Sequence, residues 1–484
     1  MSHRDAEIAL NGANLTLSEV VAAARGRVPL RLGPGVRERM AASRSVIEQA
    51  LAADTAVYGL TTGVAERKRV RIAPAQQAAF NERLIATHRV AQGPPAPADV
   101  VRAALVVLTN SLAKGAAGVR PALADALLEV LAHETAPAVR RLGSVGQADL
   151  GPMADLAHGI LTLTGFRLAE NEGLALLNNN AYSAAWSALA LADADVLLRT
   201  MDAAAALDLE AFRANLSVLH PVVGEIRPFP GLVTTLERLR RLLAGSALWE
   251  QGTARNLQDP LTYRCIPQIH GAARDALAYG TGAVETEINA AQGNPAVAVA
   301  EGRVVSVGNF DAGPTAAAVD FVRLALAPAV AAAAERTVKL LQAPWSGLPA
   351  GLAADPDSGD DGLAELGVTV QALAVEARSL AAPVSHELVS TTKGEGIEDR
   401  TSMTSLAARR LSEMLELAGR VVAVELVVAA QAVDLGRPHP LGRGAAAAHD
   451  AVRQVLPATT SVATFPTDVE PVVALVAGGA LADL

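Results

Sequence analysis

Four side chains in this sequence combine a reactive group with a setting that could use it. Tyr58 stands in the glycine-punctuated stretch VYGLTTG, residues 57–63. A phenol titrates at about 10 in water. It takes a proton near neutrality only where adjacent cations or hydrogen-bond donors stabilise the phenolate; the plainer role for such a tyrosine is to cap the turn. His88 lies in NERLIATHRVAQG, residues 81–93. Its imidazole can donate to or accept from another imidazole ring, or be satisfied within the protein. Arg264, in YRCIPQ, has the planar fork that grips a carboxylate through two parallel bonds; a buried structural ion pair is its alternative. Lys393, in TTKGEG, sits in one of the longest irregular segments. It is either a solvated lysine or a cation for a carboxylate, a thiolate-like sulfur or a developing anion. A phenol, an imidazole and two cations are groups that can move a proton and hold an anion.

A longer series of segments surrounds these residues. In chain order they are VYGLTTG, the His88 stretch, LTNSLAKGAAGVRP, GSVGQADLGP, EGLALLNNN, RPFPG, LQDPLTYRCIPQIHG, EINAAQGNP, GNFDAGP and EGIEDRTSM. In order and spacing the chain resembles the histidine/phenylalanine/tyrosine ammonia-lyase family, from about residue 15 to residue 480. The resemblance implies a mainly α fold, a homotetramer of long parallel helical bundles, and active sites each shared by three subunits. It implies elimination of an amine from an α-amino acid to give an α,β-unsaturated acid. It also gives residues their roles. Tyr58 matches the catalytic tyrosine. His88 stands where histidine-specific members carry histidine. Asn178 matches the asparagine beside the family's electrophile, and Arg264 matches the carboxylate clamp. Asn294 and Asn309 match supporting positions near the site. Glu398 matches a glutamate of the catalytic machinery.

The departures matter as much as the matches. Family members build a methylidene-imidazolone electrophile from an internal Ala-Ser-Gly, in a loop reading G-S-V-G-A-S-G-D-L-A-P. Here residues 143–152 read GSVGQADLGP. One residue is deleted, and no serine remains between Gly146 and Pro152. Gln147, Ala148 and Asp149 have no β-hydroxyl to lose as water. Ser144 is followed by Val-Gly, whereas cyclisation needs the small residue directly after the serine. No prosthetic group and no other cofactor is therefore expected. The second family tyrosine is also missing: its position is Leu261, with Tyr263 two residues on. An amino group leaves poorly without covalent activation, whereas a quaternary ammonium departs as a neutral amine. The expectation is thus a prosthetic-group-free C–N lyase, ergothionase-like, releasing trimethylamine from a histidine-derived betaine such as ergothioneine or hercynine. Tyr58 would be the base, Glu398 and Lys393 would assist, and Gln147 and Asp149 would fill the space of the missing group, with Asp149 facing the substrate cation. Tyr182 is the one aromatic nearby that could help cage that cation. A cofactor-free isomerase, cyclase or conjugate-addition enzyme on the same scaffold is the alternative, as is a non-catalytic homologue.

The elements that must position these groups are helices. The chain has 484 residues, 51% of them hydrophobic and only 3% aromatic, so Ala, Leu and Val build most of the core, as close helix packing favours. Helical periodicity is clear in ADVVRAALVVLTNSLAKGAAG, AVDFVRLALAPAVAAAAERTVKLLQ, GLAELGVTVQALAVEARSLAAP and TSLAARRLSEMLELAGRVVAVELVVAAQAV. EGRVVSVGNF is the best hairpin-like piece. A boundary is expected near residue 205, dividing 1–205, with Tyr58, His88 and the altered loop, from a long-helix bundle over 206–484. A net charge of −9 argues against a nucleic-acid partner. The basic stretch ERKRVRI, residues 66–72, reads as a solvated or salt-bridged loop rather than an anion site. The apolar runs read as too short for membrane spans. One cysteine, Cys265, excludes an intrachain disulfide and a thiolate cluster, and no metal motif is visible. A cytoplasmic protein acting on a small amino-acid-like molecule is the expectation.

Overall fold

The structure, a computed structural model, describes residues 7–386, 396–436 and 439–484. Helices dominate it. The longest are Ala181–Phe212, Ile266–Ile288, Gly313–Leu341 and Thr404–Leu435. Small residues let these helices pack closely. Ala203, Ala204, Ala205, Ala206 and Leu207 are all fully buried, and so are Val421 to Val424. Segments buried on all sides are core helices rather than amphipathic surface ones. The four helical stretches read from periodicity are all helices.

The chain divides into two compact units. One comprises residues 1–192, 280–319 and 383–409; the other comprises 193–279, 320–382 and 410–484. The single cut expected near residue 205 does not describe this division. Each unit draws on three separate stretches, because long helices run from one stretch to the next.

In the first unit, the helix Leu17–Ala24 packs on the almost wholly buried helix Ala98–Ala113. The helices Gln77–His88, Leu150–Thr164 and Glu172–Leu177 pack on one another. Three small two-stranded ladders complete it. Ile8–Leu10 runs parallel to Leu30–Leu32, and Gln92–Pro95 runs antiparallel to Arg140–Leu142. Ala296–Ala298 pairs antiparallel with Arg303–Val305, in the register Ala296 to Val305; the stretch EGRVVSVGNF supplies only the second strand of this ladder, and its partner strand precedes it.

The second unit is held by buried charge. Arg336 is fully buried and pairs with Asp208 at 2.8 Å and Glu425 at 2.6 Å. Two carboxylates share that one cation, and burial with the neighbouring Glu425 pushes Asp208 well above the usual carboxylate range. Asp202 likewise accepts from His270 and pairs with Arg274. The helix Gly313–Leu341 is long and apolar enough to cross a membrane by length and composition, contrary to the sequence expectation, and 61% of its most apolar window is buried within the protein. A buried core helix satisfies the same test.

Candidate active site

A cavity of about 380 Å³ opens in the first unit. Its wall includes Tyr58, His88, Gln147, Asn178, Asn294 and Glu398. Six residues singled out in the sequence are thus brought together from positions up to 340 residues apart.

Tyr58 is set by the apolar residues on either side of it. Val57 and Leu60 are buried in a cluster with Val46, Ile47 and Val297. The Val57 carbonyl accepts from the N–H groups of Leu60, Thr61 and Thr62, which closes the turn. Gly59, at φ +68°, completes it; a Cβ there would stand 2.4 Å from the Leu174 side chain. The Ala65 N–H donates to the phenol oxygen at 3.0 Å. Burial nonetheless holds the phenol above its ordinary value, with Glu398 and Glu66 adding to the rise and the Ala65 bond opposing it. Within one chain, then, the surroundings of Tyr58 favour the protonated phenol.

His88 ends the helix Gln77–His88. Its Nδ1 lies 2.8 Å from the Leu84 carbonyl. A carbonyl only accepts, so Nδ1 carries a proton and donates to it. Asn178 follows the helix Glu172–Leu177, and its Nδ2 donates to the Asn294 carbonyl at 2.9 Å. Asn294 Oδ1 in turn accepts from Val307 N–H at 2.8 Å.

The loop over 143–149 is the most tightly determined part of the wall. The Val145 carbonyl accepts from Ser402 and Met403 N–H, both at 3.0 Å. Ser402 Oγ donates to the Gly146 carbonyl at 2.6 Å. Gly146, at φ +78°, comes so close to this segment that a Cβ would stand 2.1 Å from Ser402 Oγ. Ala148 N–H donates to the Phe310 carbonyl, and Gln147 bridges Asp311. Asp149 is fully buried and does not line the cavity. One carboxyl oxygen accepts from Ser144 Oγ at 2.6 Å, the other from Ser183 N–H at 2.8 Å. Burial pushes its carboxyl up despite these bonds. Asp149 therefore fastens the loop, and the expectation that it faces a substrate cation is corrected.

Other expectations also change. Tyr182 is buried and meets Trp186 edge to face at 5.6 Å, so it cages nothing in this cavity. Asn309 is exposed and donates to the Ala291 carbonyl at 3.3 Å; its neighbour Phe310 lines the cavity instead. Arg264 belongs to the second unit, where its Nη1 donates to Gln258 at 2.5 Å, and it is not a lining residue. Tyr263 is buried there, stacked on Phe212 at 4.1 Å, with its hydroxyl donating to the Arg336 carbonyl. Lys393 lies outside the described residues.

Two cations on the wall were not foreseen. Lys68 comes from the stretch read as a solvated loop. The chain folds back there, with Gly63 N–H bonding Val70 O and Ile72 N–H bonding Thr61 O, which returns Lys68 to the Tyr58 turn. Arg400 pairs through Nε with Asp311 at 2.6 Å. Arg400 lies within the segment EGIEDRTSM but has no assigned role there, and no periodic or spacing signal in the sequence marks Lys68.

A half-buried phenol, an imidazole, amides, a carboxylate and cations around one cavity suit proton abstraction from a small zwitterion, the business of a lyase. A model of the family described as aromatic amino acid lyase matches residues 15–454, and this chain belongs to that family. The histidine ammonia-lyase of Streptococcus gordonii is 35% identical over 473 residues, spanning 92% of this chain and 91% of the relative. The crystal structure of histidine ammonia-lyase from Trypanosoma cruzi superposes with a TM-score of 0.89 at 28% identity, covering 98% of this chain and 94% of that one. The ergothioneine-degrading enzyme ergothionase from Treponema denticola shares the fold with a TM-score of 0.93 at 24% identity, covering 99% and 100%.

Proposed function

We propose that this chain is a C–N lyase that works without the methylidene-imidazolone group and eliminates trimethylamine from a histidine-derived betaine, as an ergothionase does. The observation that carries the reading is the loop over 143–152. It keeps the family's flanks but has no serine between Gly146 and Pro152. The residues present do not fit the group. The one serine within the loop, Ser144, has its hydroxyl engaged with Asp149 and with the Gly146 N–H, and Val145 follows it. No step is therefore routed through an internal electrophile.

A quaternary ammonium removes the need for one. In the elimination, the Tyr58 phenolate takes the β-proton and the C–H electron pair forms the Cα–Cβ double bond. The Cα–N pair leaves with neutral trimethylamine. Tyr58 ends as a phenol and returns its proton to solvent. Burial and Glu398 favour the phenol in the chain alone, so a nearby positive charge would help the base to form. The fixed cation of a betaine supplies such a charge, and it lowers a phenol that it approaches. A primary ammonium can instead lose its own proton. His88, on the cavity wall, is the imidazole that would meet the substrate's ring. Asn178 and Gln147 orient the substrate. Glu398, a carboxylate on the cavity wall, would face the ammonium, and Lys393 stays a candidate for the anionic charge that develops. Arg264 would clamp the carboxylate from a neighbouring copy in a homotetramer, the arrangement implied by family resemblance.

The test presents purified protein with ergothioneine, hercynine, histidine, tyrosine and phenylalanine. Trimethylamine release with rising conjugated absorbance from a betaine supports the proposal. Ammonia release from plain histidine, the substrate in the names of the relatives at 35% identity, would overturn it.

A further inference from the structure

The second unit contains a pocket whose charges are not balanced. It measures about 290 Å³ and is lined by Arg213, Arg255, Glu210, His439 and Gly347, among others. It shares no lining residue with the cavity around Tyr58. Among the described residues, Glu210 is the one carboxylate on its wall and is already committed. It is fully buried, with one oxygen 3.0 Å from His439 Nε2 and the other accepting from Gly442 N–H at 2.8 Å. Among the described residues, neither arginine has a carboxylate of its own. Arg213 donates once, from Nη2 to the Thr253 carbonyl at 3.0 Å. Among the described residues, the Arg255 guanidinium has no hydrogen-bond acceptor at all, and its Nε is buried. Nearby Asp259 is occupied by Asn215 N–H and Asn256 Nδ2.

The two guanidiniums are nevertheless held where they are. Arg255 N–H bonds the Arg213 carbonyl at 2.9 Å, which ties the residues together. The Arg255 guanidinium lies 5.9 Å from the Phe212 ring centroid. It also packs on Gly347, at φ +63°, where a Cβ would stand 2.0 Å from Nη1. Burial and the neighbouring Arg213 push Arg255 below its ordinary value, which reflects two like charges brought together. A buried donor without an acceptor is costly, and native proteins seldom retain one without a water, an ion or a ligand. Planar forks in this arrangement match the oxygens of a carboxylate or phosphate.

We propose that Arg213 and Arg255 form a binding site for a small oxyanion, of carboxylate or phosphate type, separate from the reacting site. The test uses the full-length protein. Thermal unfolding and isothermal titration are followed with inorganic phosphate and with acetate, each against sodium chloride at equal ionic strength. Saturable stabilisation by one or both probes is expected beyond the chloride control, and the preferred probe tells phosphate from carboxylate chemistry. Arg255→Gln and Gly347→Ala should each weaken that binding at least about tenfold, the second by displacing the guanidinium while leaving its charge. Arg213→Gln provides the same reading should either variant fail to fold. Equal responses to the probes and chloride would overturn the proposal, as would undiminished binding in folded variants. So would an Arg255→Gln protein that changes its oligomeric state by ultracentrifugation while wild type binds neither probe, since the arginines would then serve an acidic side chain of a second copy.

Discussion

Tyr58 shows how far a residue's type is from its chemistry. Its phenol is held up by burial and by Glu398, so the active phenolate is the minor form near neutrality. With Tyr58 as the base, kcat/KM should rise about tenfold per pH unit on the acid side of the phenol's titration. Tyr58→Phe should lower kcat by about 10²–10⁴-fold, with substrate binding by calorimetry retained; unchanged turnover would reassign the base. Glu398→Gln removes a negative charge that raises the phenol. The rising limb of the pH profile should therefore move to lower pH, even where kcat itself falls. The sequence supplied Tyr58, His88, Asn178, Asn294, Gln147 and Glu398, because each stands in a short motif whose neighbours also match. It could not supply Lys68, since a basic loop looks alike whether it is solvated or folded back onto a turn. It also misplaced Asp149, because burial is a property of the packed loop rather than of the residues beside it in the chain.

At the scale of the element, the loop over 143–149 depends on close backbone approach. Gly146→Ala combines a left-handed φ with a clash against Ser402 Oγ. It should destabilise the protein by more than about 1 kcal/mol, read as a lower denaturant midpoint at unchanged slope. Behind this loop, Glu287 near the end of the helix Ile266–Ile288 is raised by burial to about 7 from an ordinary 4.5, with Asn180, Gln292 and Thr315 partly opposing the rise. The folded state therefore binds this proton more tightly than the unfolded state. Its contribution to stability is complete below pH about 4.5 and is lost as the pH rises through about 7. Glu287→Gln should flatten that decline in chemical-denaturation profiles; an unchanged slope between the two pH values would show that other groups dominate. Helical periodicity made the helix Ala98–Ala113 legible. No such signal announces Glu287, whose neighbours come from three separate parts of the chain.

At the scale of the whole molecule, the cavity holds the base and the imidazole, while Arg264 belongs to the other unit of the chain. If a second copy delivers the clamp, inactive Tyr58→Phe and Arg264→Ala proteins should complement each other. Unfolding and refolding the two together should restore a substantial fraction of wild-type activity, because some mixed assemblies contain a site with both residues intact. Activity no greater than that of the separate variants would mean that each site draws base and clamp from a single chain.

The sequence by itself determined the helical architecture and the family, since alanine- and leucine-rich periodicity and a long ordered series of motifs are local properties that survive without coordinates. It also determined that the loop over 143–152 lacks a serine able to form the family's electrophile. Tertiary structure alone decided which side chains share the cavity and which carboxylate is locked behind the loop. It alone gave the interleaved division of the chain and the pairing of Arg213 with Arg255. Each of these depends on long-range packing, where burial and through-space charge are fixed by segments tens to hundreds of residues apart.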